Sequence, residues 1–388
     1  MSATQPLYTS PRVQTVVYNK YLKKATELNT RKNPYLAMLQ AKKRATYGWS
    51  KKGPGLEFEW PIAYKGLLAQ PYADMEVVGS SRTNVWLRAK LPWRGYVSKE
   101  SISLLEKKIN GPGDTSILRI EDKLYPLQTK AIMDLLGKDI VGNDGNSASS
   151  DSDGAYNERI HGFPSFLTTT GSTVKDNSGN GFCAAPNDTY GGLSTALANK
   201  GGSWSAPTGF EWPEGSGSYE YSYWSPMVID VENTNFPGSD TWATQWKYAF
   251  LFAITYLEAR FNEKWDAFFL SPQALRLVKE NLESSSQTNL FVKRGPEESL
   301  LTKLGFNPVS YEGVDVMTDH NIKAANRFGF GVIFDKMELR CLDDQLIQKS
   351  TDSNIDNQSD IIAANTFCNL SVESPAFVCE FRGGITEA

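Results

Sequence analysis

Seven residues between 204 and 230 are of types suited to proton transfer beside an aromatic surface: Trp204, Glu211, Trp212, Glu214, Glu220, Trp224 and Asp230. Paired carboxylates among rings form the side-chain set of glycoside hydrolysis, one acting as acid and the other as base or nucleophile. The same rings without a working acid pair suit a simple carbohydrate-binding surface. The competing reading is structural. Tyr219, Tyr221 and Tyr223 alternate as in a strand, and alternating aromatics pack into cores and interfaces.

Other chemistries find less support. His161 and His320 are the two histidines, and neither has a partner at ligand spacing, which argues against a histidine metal site. A Ser-His-Asp arrangement needs one histidine and stays open. The sequence holds no GxSxG, no phosphate-binding GxxxxGKS/T, and no GxGxxG opening a helix after a strand. In DAFFLSPQALRLVKENL an apolar strand runs straight into a helix, and the junction offers Ser271, Pro272 and Gln273. Ser271 reads as a helix cap and Pro272 as the first helical residue. No catalytic residue, cofactor or metal is expected.

The elements that would carry any site come next. The chain has 388 residues, 40% of them apolar, and a net charge of −4, enough for a sizeable core in two or three domains. Its charge is uneven. Residues 1–52 carry eleven Lys and Arg against the single acid Glu27, so the remainder is acidic. Such an arm is either a solvated, partly helical terminus or a contact for an acidic partner. Cys183, Cys341, Cys368 and Cys379 form no CxxC and read as buried reduced thiols. The start of the chain lacks a basic-then-apolar leader, and the apolar run 248–257 is too short to span a bilayer. A cytoplasmic protein with no membrane partner is expected.

Periodicity divides the chain. Residues 13–22 have helical spacing, and Pro34 restarts a short turn. LEFEW and VWLRAKL alternate, predicting a hairpin too long to be stable alone. It needs a partner surface on this chain or on another copy. A helix is predicted over 114–137, with Asp114 as cap, Gly137 as stop, and a kink or early end at Pro126. Residues 170–240 read as long glycine- and aromatic-rich loops. A second helix is predicted over 240–263 with Asp240 as cap, then AFFL, its helix, and the strands PVSY, VDVMTD, FGFGVIFD and ELRCLDD. FCNLSVESPAFVCEF alternates at the end.

This order resembles the major capsid proteins of tailed double-stranded DNA phages, the Hong Kong 97-type fold. GKDIVGNDGN with ERIHGFPSFLTTT is similar to that family's exit from its spine helix. WDAFFLSPQALRLVKEN is similar to its strand-to-helix step, and FCNLSVESPAFVCEFRGGI to its closing strands. The resemblance implies an α+β phage capsid fold with an N-terminal arm, an extended β-hairpin loop, a peripheral domain with a long spine helix, and an axial domain. The implied boundaries are 1–52 for the basic arm, 53–100 for the hairpin, 101–165 for the peripheral domain, and 166–345 for the axial domain with an insertion at 170–240. Residues 346–388 would return to the peripheral domain.

The implied function is self-assembly, through pentamers and hexamers, into the icosahedral head shell enclosing the genome. The protein would sit in the virion and assemble in the host cytoplasm. A scaffolding protein, a portal and decoration proteins would be partners. Leu56, Phe58, Trp60, Val85 and Leu87 would give the hairpin an apolar face toward a neighbour, with Arg88 and Lys90 pairing charges across the boundary. Lys23, Lys24, Lys42, Lys43 and Arg44 would face packaged DNA without sequence preference or latch a neighbour. An encapsulin-type nanocompartment shell is the alternative with the same fold, and a carbohydrate-active protein is the alternative of another class.

Overall fold

The computed structural model describes residues 33–48, 55–63, 86–109, 120–143, 154–167, 189–194, 226–232, 241–284, 308–322, 327–354 and 359–383, with short pieces between them. The arm before residue 33, most of 64–85, Asp114, Asp240 and most of 170–240, for which the sequence carries expectations, lie outside these residues.

A five-stranded sheet and a six-stranded sheet organise the chain. In the first, β1 (Ala45–Thr46) runs parallel to β10 (Met337–Cys341), which pairs with the long β12 (Ser359–Val372). β12 also pairs with β11 (Gln348–Asn354) and, on its other edge, with β4 (Arg94–Ser103). The segment 94–100, which the periodicity joins to the hairpin, thus belongs to this sheet. The six-stranded sheet has the order β7 (Val309–Tyr311), β8 (Val314–Thr318), β6 (Ala267–Leu270), β9 (Arg327–Val332), β13 (Val378–Arg382), β5 (Met227–Asp230). The closing segment serves both sheets, β12 in one and β13 in the other.

The six-stranded sheet separates two cores, and β6 shows why its sequence has no polar alternation. Ala267 and Phe269 enter the first core while Phe268 and Leu270 enter the second. A strand covered on both faces reads as a continuous apolar run. The second core is closed by α5 (Trp242–Phe261) and α6 (Pro272–Ser284), with Trp242, Trp246 and Phe250 fully buried. Ser271 caps α6 as its sequence predicts: its hydroxyl accepts from the Ala274 N–H at 3.2 Å. α5 starts after Thr241, whose side chain makes no capping bond, and stops at Asn262 in a left-handed conformation.

The first core joins the six-stranded sheet to α3 (Ile120–Gly142), to α4 (Phe163–Leu167), and to α1 (Pro34–Ala41). α3 differs from its predicted span. It runs through Pro126 and past Gly137 to Gly142. Ile132, Leu136 and Ile140 bury its far half, and that packing outweighs a cost of roughly 3 kcal/mol for an interior proline. Gly137 is not a stop but a close approach: an added Cβ would lie 1.5 Å from Nδ2 of Asn33. Between β4 and α3, a short helix α2 (Leu104–Ile109) follows directly on β4.

Candidate assembly surfaces

β2 (Glu57–Ala63) and β3 (Trp86–Pro92) pair antiparallel along their whole length, Glu57 opposite Pro92 and Ala63 opposite Trp86. Side chains therefore alternate between two faces. Phe58, Trp60, Ala89 and Leu91 form the inner face and are buried in the first core. Phe58 and Trp60 stack at 5.8 Å, and Trp60 lies 6.0 Å from Tyr190. The Arg340 guanidinium on β10 sits 4.9 Å from the Phe58 ring and 5.5 Å from Trp60, within cation–π range. The Lys90 N–H donates to the Gly191 carbonyl at 3.1 Å. The root of the hairpin thus finds its partner surface on its own chain.

That placement corrects part of the expected neighbour-facing set. Phe58 and Trp60 are covered within the subunit, with Arg340 over both rings and Tyr190 against Trp60, and burying each such ring stabilises the fold by roughly 2–3 kcal/mol. Leu87 is half-buried, Leu56 is 93% exposed, and Val85 lies outside the described residues. Arg88 and Lys90 are exposed as expected, but they pair inside the hairpin. Arg88 Nη1 lies 3.4 Å from Glu59 and Lys90 Nζ 3.0 Å from Glu57. The Glu57 carboxylate raises the Lys90 pKa. Beyond these pairs the outer face turns apolar, with Pro61, Ala63 and Trp86 exposed and Trp86 at 60%. An exposed tryptophan thus stands at the far end of a face otherwise neutralised by its own ion pairs.

A buried polar network fixes the hairpin's root. Tyr96 on β4 donates to Asp139 on α3 at 2.7 Å and accepts from the Ile160 N–H at 2.9 Å. Arg159 contacts the same carboxylate at 3.3 Å. Burial raises the Asp139 pKa, and the contacts with Tyr96 and Arg159 oppose that rise. Asn369 on β12 accepts from the His161 N–H at 2.9 Å and donates to the Pro92 carbonyl at 2.7 Å. Arg94 donates to the Gly145 carbonyl at 3.1 Å. One β12 side chain thus ties the end of β3 to the segment after α3. In the sequence His161 stood out only as one of two histidines, and no local spacing marks its partner Asn369, 208 positions away.

The basic segment also folds back on its own chain. Asn33 caps α1 by accepting from Tyr35 and Leu36 N–H groups at 3.0 and 3.3 Å. Tyr35 lies 4.1 Å from Phe269. Lys42 Nζ sits 2.8 Å from Asp266 and 3.0 Å from Asp335, and Arg44 3.7 Å from Asp335. Lys42 and Arg44 thus clamp residues 33–48 onto the loops of the six-stranded sheet, where acidic partners await them. Lys43 remains exposed, and Lys23 and Lys24 lie outside the described residues.

Of the carboxylate-rich stretch, the described members are Trp224 and Asp230. Trp224 is buried against Tyr190 at 5.7 Å, a core position rather than a sugar platform. Asp230 ends β5 with its pKa raised by burial. Trp204, Glu211, Trp212, Glu214 and Glu220 lie outside the described residues. Among the described residues, no group of three His, Cys, Asp or Glu side chains forms a metal site, and no helix is long and apolar enough to cross a membrane.

No protein-family model and no curated protein matches the chain. Solved structures do match it. The capsid asymmetric unit of cyanophage A-1(L) aligns with a TM-score of 0.57 at 13% identity, covering 94% of this chain and 97% of that one. The capsid of cyanophage Pam1 gives 0.53 at 13% identity over 94% and 95%. The capsid of the native GTA particle gives 0.53 at 10% identity over 94% and 96%. Over nearly its whole length, this chain has the mixed α+β fold of phage capsid subunits.

Proposed function

We propose that the chain is the major capsid protein of a tailed double-stranded DNA phage, assembling through pentamers and hexamers into an icosahedral shell. The observation that carries this reading is the end-to-end fold match to capsid subunits, with neither chain left with a large unmatched part. In this reading the subunit assembles in the host cytoplasm and ends in the virion, with a scaffolding protein, a portal and decoration proteins as partners. Its work is non-covalent, and many modest contacts repeated by symmetry stabilise the shell.

The hairpin surface sharpens the reading. Its root is spoken for within the subunit, so the part offered to a neighbour is the distal outer face with Pro61, Ala63 and Trp86. Lys43 and the arm with Lys23 and Lys24 are the basic groups offered to DNA or to a neighbour. The test is deletion of residues 66–82 and, separately, Trp86→Asp, each followed by particle imaging. Folded subunits that fail to close shells support the assignment; normal particles from both variants refute it.

A further inference from the structure

Cys341 on β10 and Cys368 on β12 stand directly opposite one another across an antiparallel ladder. Two flanking hydrogen bonds define the kind of pair. The Leu342 N–H donates to the Phe367 carbonyl, and the Glu373 N–H donates to the Lys336 carbonyl, each at 2.9 Å. Hydrogen-bonded and non-hydrogen-bonded pairs alternate along such a ladder. Counting inward from either bond makes Cys341/Cys368 a non-hydrogen-bonded pair, the kind with the closer Cα atoms, about 4.5 Å. A disulfide requires Cα atoms roughly 4.4–6.8 Å apart. Opposite side chains also share a face of the sheet, here the first core, where both thiols are fully buried and within hydrogen-bonding reach of each other.

We propose that Cys341 and Cys368 form a redox site that closes to an intrachain disulfide and locks β10 to β12. The oxidant is a low-molecular-weight disulfide such as oxidised glutathione. One cysteine thiolate attacks it and displaces one glutathione thiolate, giving a mixed disulfide. The second cysteine thiolate attacks the protein sulfur of that bond and displaces the second. Each cysteine loses its proton, the protein loses two electrons, and the oxidant becomes two thiols. The hydrogen bond with Cys368, and then burial, hold the Cys341 thiol protonated in the closed sheet, so exchange belongs to the state in which β10 has parted from β12. On its other edge β10 is held by the two-residue β1. Reclosing then shields the bond from reductant.

The lock bears on the rest of the fold. β10 carries Arg340 beneath the hairpin rings and receives β1 from the N-terminal segment. Fixing β10 to β12 fixes both. The timing rests on the capsid reading: a shell that leaves a reducing cell for an oxidising medium meets the oxidant after assembly.

The test refolds the full-length chain in a mixed oxidised and reduced glutathione buffer, and in reductant alone, with alkylation and non-reducing peptide mapping. The expected result is one joined peptide pair containing Cys341 and Cys368, lighter by two hydrogen atoms and separated by dithiothreitol. Cys379, which faces Gly331 across its own ladder, stays alkylated. The thermal midpoint of the oxidised form rises by roughly 3–10 °C, and Cys368→Ala abolishes the rise. Full alkylation of both thiols in the refolded chain, or joining to Cys183 or Cys379 instead, overturns the proposal. A rise that survives Cys368→Ala also overturns it. Particle imaging is read separately: shells without the disulfide refute only the redox site, and the disulfide without shells refutes only the capsid reading.

Discussion

Asn369 holds His161 in one tautomer. The Asn369 Oδ1 accepts from the backbone N–H groups of His161 and Leu370, each at 2.9 Å, which orients the amide. Its Nδ2 then faces Nδ1 of His161 at 3.0 Å. An amide N–H donates, so Nδ1 must accept, and the imidazole is neutral with its proton on Nε2. Burial, together with the Arg94 charge, lowers the His161 pKa to about 4. The Pro92 carbonyl takes the second hydrogen of the same amide, so the hairpin's root depends on that protonation state.

This sets a pH dependence. The folded pKa lies below the unfolded value near 6.5, so the unfolded chain binds the extra proton first. His161 thus contributes stability above pH 6.5 that is lost as pH falls toward 4, on the order of 3 kcal/mol in all. Urea denaturation at pH 7 and pH 4.5 should show a larger loss for the native chain than for His161→Gln. The raised pKa of Asp139 acts on both proteins and cancels in the difference. Identical pH profiles would remove the role given to His161.

Asn369→Ala leaves the buried His161 N–H and the part-buried Pro92 carbonyl without their side-chain partner. The expected cost is roughly 2–4 kcal/mol, read as a lower urea midpoint. Proteolysis should become faster at the β3–β4 junction, near Trp93. A loss of stability without that local cleavage would mean that the hairpin root is held elsewhere.

Two glycines of α3 give a paired test. Gly137→Ala drives a Cβ into Asn33, while Gly142 has nothing within 4 Å of an added Cβ. Gly137→Ala should release residues 33–48, seen as protease cuts around Lys42 to Arg44, and destabilise by about 2 kcal/mol or more. Gly142→Ala should be neutral or stabilise by up to about 1 kcal/mol. Equal behaviour of the two variants would contradict the docking of α1 on α3.

The basic residues separate by partner. Lys42→Glu places a carboxylate against Asp266 and Asp335 and should lower the thermal midpoint. Lys43→Glu, exposed and two residues from β1, should leave the midpoint within about 0.5 kcal/mol of equivalent stability. If Lys43→Glu particles retain less genome at unchanged stability, the arm's inner contact with DNA gains support. Unchanged retention assigns the arm to neighbour contacts.

Where burial is two-sided or one-sided and local, the sequence was readable. AFFL declared an apolar strand, Ser271 and Pro272 declared the start of α6, and LEFEW with VWLRAKL declared the hairpin. The alternation marked Phe58 and Trp60 as part of one apolar face, but not that their own chain covers it, because Tyr190 and Arg340 arrive from distant segments. β11, QKSTDSN, carried no apolar signal at all; it is an edge strand, and its pairing with β12 is a matter of backbone hydrogen bonds. α3 outran its predicted end because tertiary packing at Leu136 and Ile140 overrode glycine's propensity. The root network was invisible, since Tyr96, Asp139, His161 and Asn369 meet only in the folded chain.

The central claim is that copies of this chain build a closed shell. The most direct measurement is electron microscopy of the full-length chain, expressed alone and with a scaffolding protein from the same genome. The account predicts shells, or rings of five and six subunits, that disappear in Trp86→Asp while the subunit stays folded. A stable, monodisperse monomer under every condition would contradict it.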